Sequence, residues 1–449
     1  MAAVCAVPVV QPAAVAPETR PLLLIPRPVI LFMPDLPRIL VIAPHGSYRT
    51  SAFIAAAQRL GIKVLLVSEG KHSIVSEYAR GLHIDPADEA AALELILTEA
   101  ANEPVAGIVG TDDSTTELAA KAARQLGLPH NNPAAVQLAR RKDKARACLA
   151  AAGLPVPDHR CLSLEQPLQE QFEAVVYPAV IKPVGLSGSR GVIRVDNHAE
   201  LMQAVKRVQT MLQQEQQPEP DIANLLLVER YIPGDEVAVE GMLKGGELQV
   251  LAVFDKPDPL HGPYFEETYY ITPSRHARDT LNELHHTVQA ACSAYGLQEG
   301  PVHAECRINA DGVWILEVAA RTIGGLCGRL LQFGTGYSLE ELVLAQAMGK
   351  TLPLETSQQG AGVLMIPIPQ AGILKRVEGI LAAQRVPYIE SVEIQLREGH
   401  ELVPLPEGSS YLGFIFARAP SARQAEQALR EAHACLNIVV APLWKVSIA

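Results

Sequence analysis

The chain has 449 residues, 48% of them hydrophobic and 19% charged, a globular balance that excludes a disordered or collagen-like protein. Lys plus Arg number 38 and Asp plus Glu 49, a net charge of −11. That argues against nucleic acid as a partner, while leaving room for a local basic pocket.

The N-terminal residues are apolar, but prolines at 8, 12, 17, 21, 26 and 28 interrupt them. Residues 1–37 read as a Pro-rich extension. No basic stretch precedes its apolar part, so no signal peptide is expected. No run reaches the ~18–20 apolar residues of a membrane span, so no membrane partner is expected either. The first folded unit, 38–133, alternates strands (38–44, 63–68, 105–110) with helices (47–60, 90–101, 114–126), the pattern of a parallel α/β sheet. Ligands of such sheets sit at the carboxyl ends of the strands. Those ends carry His45-Gly46-Ser47 and Thr111-Asp112-Asp113-Ser114, where Ser47 and Ser114 also read as helix N-caps. A helix with a basic patch, Arg140 to Arg146, spans 134–152.

Tyr177 to Pro183 reads as a strand carrying Lys182. Gly185-Leu-Ser-Gly-Ser-Arg-Gly191 follows, then a strand at Val192–Val195. A glycine-rich loop inside a hairpin is neither a P-loop nor a Rossmann turn, both of which open a helix. It can fold its N–H groups over phosphates, or be an ordinary turn. After a helix from His198 to Gln217, two strands flank the Pro-Gly turn of Leu225–Glu240. Leu248–Phe254 is another strand and Asp279–Tyr295 a helix. Val302–Ile308 and Val313–Ala319 form a hairpin across Asn309-Ala-Asp-Gly312. Glu305 and Glu317 lie on its strands among apolar residues, costly for carboxylates that lack a cation. Residues 356–449 read as an α+β unit. The seven cysteines form no C-x-x-C pair, which fits reduced thiols and a cytoplasmic setting.

Taken in order, these pieces resemble the ATP-grasp superfamily. The resemblance implies α/β and α+β multidomain architecture: an N-terminal parallel α/β domain at 38–133, an ATP-grasp domain at 134–355 with a hairpin-containing lid at about 175–240, and a C-terminal α+β domain at 356–449. It implies ATP with Mg2+, Mn2+ being an alternative. Lys144 and Lys182 match the nucleotide lysines, and Gly185, Ser187, Gly188, Ser189 and Gly191 the phosphate lid. Glu229, Arg230, Tyr231 and Ile232 match the adenine hinge, Glu236 the ribose carboxylate, Glu305 and Glu317 the metal ligands, and Arg321 the arginine that steadies the transferring phosphoryl. Ala319 stands where many relatives carry a ligating Asn.

The stretches Glu317–Gly325, Phe254–Thr268 and Tyr411–Ala417 are similar to the bacterial L-amino-acid ligases. That likeness implies an ADP-forming ligase that joins an amino acid carboxylate to an amine through an acyl phosphate. Amino acids, as small-molecule substrates, would be its partners, and a homodimer is expected. Gly324 and Gly325 are candidates for a substrate carboxylate and Glu266 and Glu267 for an ammonium group. His303 shares a strand face with Glu305 and is a candidate base. Biotin-carboxylase-like or purine-pathway chemistry is the alternative, as is a nucleotide-binding regulator without turnover.

Overall fold

The computed structural model describes residues 36–45, 47–69, 80–214, 220–355, 357 and 359–443. The Pro-rich extension lies outside them, except for its last two residues. Four short strands build the first layer. Strands β1 (Arg38–Ile42), β2 (Lys63–Ser68), β3 (Arg80–His83) and β4 (Gly107–Gly110) pair in parallel in the order β3-β2-β1-β4. Ile39 to Ile42 are buried on both faces, as the interior strand of a helix-covered sheet requires. Helix Thr50–Leu60 lies between β1 and β2, helix Glu89–Asn102 between β3 and β4, and helix Asp113–Leu126 follows β4.

The caps differ from those read in the sequence. Asp112, not Ser114, stands at the N-cap of the third helix, and its N–H donates to Thr115 Oγ1 at 3.1 Å. Ser47 Oγ donates instead to Asp112 Oδ2 at 3.2 Å. The loops after β1 and β4 are therefore tied to each other at the ligand-binding edge of the sheet. The basic helix also divides, into Pro133–Arg140 and Lys142–Ala151. Arg141 between them leaves helical geometry, with φ −92° and ψ 93°, and donates to Asp143 Oδ2 at 2.9 Å.

The lid is an antiparallel sheet of β5 (His159–Ser163), β6 (Ala179–Pro183), β7 (Ile193–Val195) and β8 (Leu225–Arg230), in the order β5-β8-β6-β7. Leu201, Val205, Val208 and Met211 of helix His198–Gln214 form a core with it. Beyond the lid come β9 (Asp235–Lys244), β10 (Glu247–Lys256), β11 (Tyr269–Thr272), β12 (Gly300–Asn309) and β13 (Gly312–Ala319). The remaining strands are β14 (Gly360–Ile366), β15 (Gly372–Glu378), β16 (Ile389–Ile394), β17 (Glu401–Leu402), β18 (Gly413–Ala419) and β19 (Asn437–Ala441). Eight of these form one sheet, β13-β12-β9-β10-β11-β14-β18-β16, and three form a small one, β17-β15-β19. The central sheet thus continues across residue 355, with Tyr270 paired to Val363.

The glycine loop between β6 and β7 rests on the C-terminal segment. Gly191 N–H donates to the Pro406 carbonyl at 3.0 Å and Arg190 Nε to the Glu407 carbonyl at 3.1 Å. Arg207, on the lid helix, forks onto the Glu407 carboxylate at 2.5 and 2.8 Å. No helix among the described residues is long and apolar enough to cross a membrane.

Candidate active site

Lid, central sheet, N-terminal loops and C-terminal segment enclose one cleft of about 870 Å³. One end has apolar walls, with Val180, Val192, Tyr231 and Phe265 among its lining residues. The hinge Glu229–Ile232 borders it. Glu229 is buried between Arg146 and Lys182. Burial alone would raise its carboxyl, but these two cations hold it down at about 2. Tyr231 N–H is committed to the Pro178 carbonyl at 2.9 Å. The N–H of buried Ile232 meets no acceptor among the described residues, while its carbonyl accepts from Arg307 Nη1 at 2.6 Å. Gly188, Ser189 and Gly191 adopt positive φ of 64, 57 and 68°, which turns the loop over the cleft. Gly185, Ser187, Gly188 and Ser189 line it.

The middle of the cleft holds the carboxylates. Glu305 and Glu317 are register partners on β12 and β13. Glu317 faces Lys142 Nζ at 3.2 Å. Glu305 lies 3.3 Å from the Lys256 ammonium, which also meets Glu236 at 2.8 Å and contacts Glu267. One oxygen each of Glu236, Glu267 and Glu305 lie within 4.8 Å of one another. Burial and the Glu305 charge raise the Glu267 carboxyl to about 7, with Lys256 pulling the other way. His303 has carboxylates at both ring nitrogens, Glu240 at 3.3 Å and Glu305 at 3.6 Å. Burial would lower its pKa, but the two carboxylates lift it to about 9.

The far end is cationic. Arg321 Nε donates to Asp113 Oδ2 at 2.8 Å and Nη1 to the Thr322 carbonyl at 2.9 Å. Gly324 and Gly325 follow, the latter at φ 60°. A Cβ on Gly325 would lie 3.2 Å from Met365 Sδ and 3.5 Å from Phe414.

Most of the residues expected from the sequence meet in this cleft. Lys182, the glycine loop, Glu229 to Ile232, Glu236, Glu267, His303, Glu305, Glu317, Arg321, Gly324 and Gly325 line it. Gly191 stands at the loop's base, next to Pro183. Lys144 is exposed and does not line the cleft; Lys142 does. Glu266 is half-buried outside it. Glu236 faces Lys256 and Arg307 Nε, the latter at 3.0 Å. Sequence reasoning missed Lys256, Arg307 and Arg146. Their signal was a cation in a largely apolar strand or helix face, which burial permits only with a partner.

Residues 54–130 match the ATP-grasp N-terminal domain, 175–329 the ATP-grasp domain and 364–441 the L-amino acid ligase C-terminal domain 2. The chain is an ATP-grasp protein and falls among the ATP-grasp ligases. Within that class it is similar to the L-amino acid ligase of Bacillus licheniformis. That crystal structure matches with a TM-score of 0.78 and 28% identity, over 90% of this chain and 99% of that one. A protein of Sinorhizobium fredii called y4rH is 25% identical over 345 residues, 75% of this chain and 69% of that protein. Carnosine synthase 1 of Mus musculus is 27% identical over 349 residues, 73% of this chain. The match takes in only 42% of that synthase.

Proposed function

We propose that the protein is an ATP-dependent ligase joining the carboxylate of one amino acid to an amine, a second L-amino acid, with release of ADP and phosphate. One observation carries the reading. A single cleft holds a nucleotide-shaped end and, continuous with it, a region lined by a carboxyl group, Glu267, and a guanidinium, Arg321. The buried, unpartnered Ile232 N–H between flat apolar walls suits a base edge, and the positive-φ loop suits phosphates. Glu305 and Glu317 supply hard oxygen ligands of the kind magnesium takes. Where bound, such an ion neutralises phosphate charge.

The chain's own groups divide the work. Lys142, Lys182 and the loop N–H groups bring positive potential to the phosphate chain, since phosphoryl transfer depends on positioning and charge neutralisation. A carboxylate oxygen takes the γ-phosphoryl, ADP leaves, and an acyl phosphate remains. The amine nitrogen then attacks the acyl carbon, loses a proton, and phosphate departs. Arg321 is placed to hold oxyanion charge as it develops. Glu267 offers the ammonium of the first amino acid a carboxylate, whereas Glu266 does not line the cleft. His303 stands between Glu240 and Glu305, behind the metal-binding carboxylate, where it orients that group. The closed loop excludes water from the acyl phosphate.

The test is phosphate release from MgATP across all pairs of the twenty amino acids, with products weighed by mass spectrometry. Phosphate matched by a dipeptide mass is the expected result. ATP binding without turnover by any pair overturns the reading.

A further inference from the structure

The loops after β1 and β4 reach this cleft, and one side chain in them has no place in the chemistry described so far. Arg49 is 7% exposed and lines the cleft at its cationic end. Its Nη1 donates to the Thr111 carbonyl at 2.9 Å, the Thr322 carbonyl at 3.2 Å and Thr322 Oγ1 at 2.6 Å. Its Nε faces Tyr48 Oη at 3.2 Å and Asp112 at 3.6 Å. Among the described residues Nη2 has no acceptor. It points toward Gly324, where an added Cβ would lie 3.9 Å away. A buried guanidinium fixed on two nitrogens, with the third free toward a cavity, is an anion receptor awaiting its anion.

Arg321 strengthens the case. Both guanidinium groups donate to the same Thr322 carbonyl oxygen, at 3.2 and 2.9 Å. Two cations so close are tolerated only beside anions. The resident ones, Asp112 and Asp113, engage their Nε atoms. Arg321 Nη2, like that of Arg49, meets no acceptor among the described residues.

We propose that Arg49 and Arg321 together bind the α-carboxylate of the amino acid that supplies the amine. The inference rests on the ligase reading above. The ligand class is a planar oxyanion, whose two oxygens can each accept from one free Nη2. The phosphate end already has Lys142, Lys182 and the loop, and the first amino acid gives up its own carboxylate in the reaction. The second amino acid keeps its carboxylate in the product and needs a cation for it.

The experiment compares each amine-donating amino acid with its amide, which lacks the charge. In wild type, kcat/KM favours the acid over the amide. In Arg49→Ala, KM for the acid should rise about tenfold or more, with the amide nearly unaffected. Arg49→Lys keeps the charge, loses the guanidinium that Thr111 and Thr322 hold in place, and should fall between them. Thermal melting confirms that each variant folds. An equal loss for acid and amide would assign Arg49 to the transferring phosphoryl and overturn the proposal. Titration with inorganic phosphate tests the receptor without turnover, so it stands apart from the ligase reading. Weaker binding in Arg49→Ala than in wild type is expected, and equal binding overturns the receptor. If wild type turns over no pair yet binds phosphate through Arg49, the ligase reading fails and the receptor survives.

Discussion

Glu229 divides its two carboxylate oxygens between Arg146 and Lys182, out of reach of solvent screening. Its pKa is depressed to about 2, so its contribution to stability is fully present above the unfolded value near 4.5. It is lost as pH falls toward 2. Glu229→Gln should therefore flatten the stability–pH curve between those limits, by about 3 kcal/mol overall. Urea unfolding at several pH values reads this, and an unchanged slope would sink the assignment. Lys256 is a second such point. Removing it leaves Glu236, Glu267 and Glu305 facing one another without their shared ammonium. Lys256→Met should lower unfolding free energy by about 3–5 kcal/mol, and a variant as stable as wild type in denaturant titration would contradict the ion cluster. Individual residues were legible in the sequence where they sat in a motif, as Glu305, Glu317 and Lys182 do. Lys256 was not, because its partners arrive from two other strands and a loop. That Lys142 and not Lys144 lines the cleft has a geometric reason. Positions two apart on a helix point about 200° apart, so only the packed face decides which one enters the cleft.

Elements show where local pattern was enough and where it was not. The hairpin of β12 and β13 announced itself through apolar strands around Asn309-Ala-Asp-Gly312, and the parallel layer through its alternation with helices. The break at Arg141 did not, since Lys, Arg and Ala are all good helix formers. Nor did the short strands β3, β11 and β17, which depend on neighbours far along the chain. The glycine loop is an element whose shape fixes its composition. Gly191 sits at φ 68°, and a Cβ there would lie 3.1 Å from the ring of Pro183. Gly191→Ala should cost roughly 1–2 kcal/mol for the left-handed backbone and spoil the loop's approach to phosphates. The expected outcome is weaker MgADP binding by calorimetry with the central fold retained by circular dichroism. Wild-type affinity would show that the loop tolerates another shape.

At the scale of the molecule, lid and C-terminal segment are fastened together by Arg207 and Glu407. Both side chains are more than 40% exposed, so their pairing adds only about 0.2–1 kcal/mol to stability. Its effect is on position. It holds Pro406 and Glu407 where their carbonyls accept from Gly191 and Arg190. Glu407→Ala should leave the melting temperature within a degree or two but speed amide exchange at Gly191 several-fold. Exchange as slow as in wild type would mean that the loop needs no fastening.

The continuous sheet has a consequence for how such a protein can change over generations. Strand β11 is claimed on one side by β10 and on the other by β14, segments that straddle residue 355. A recombination joining the front of this chain to the back of a relative must deliver a strand whose alternation matches Tyr269 to Leu364 and Thr272 to Ala361. A slip of one residue would turn the incoming side chains to the wrong face. An exchange at residue 355 therefore has to carry the register of β11 and β14 with it.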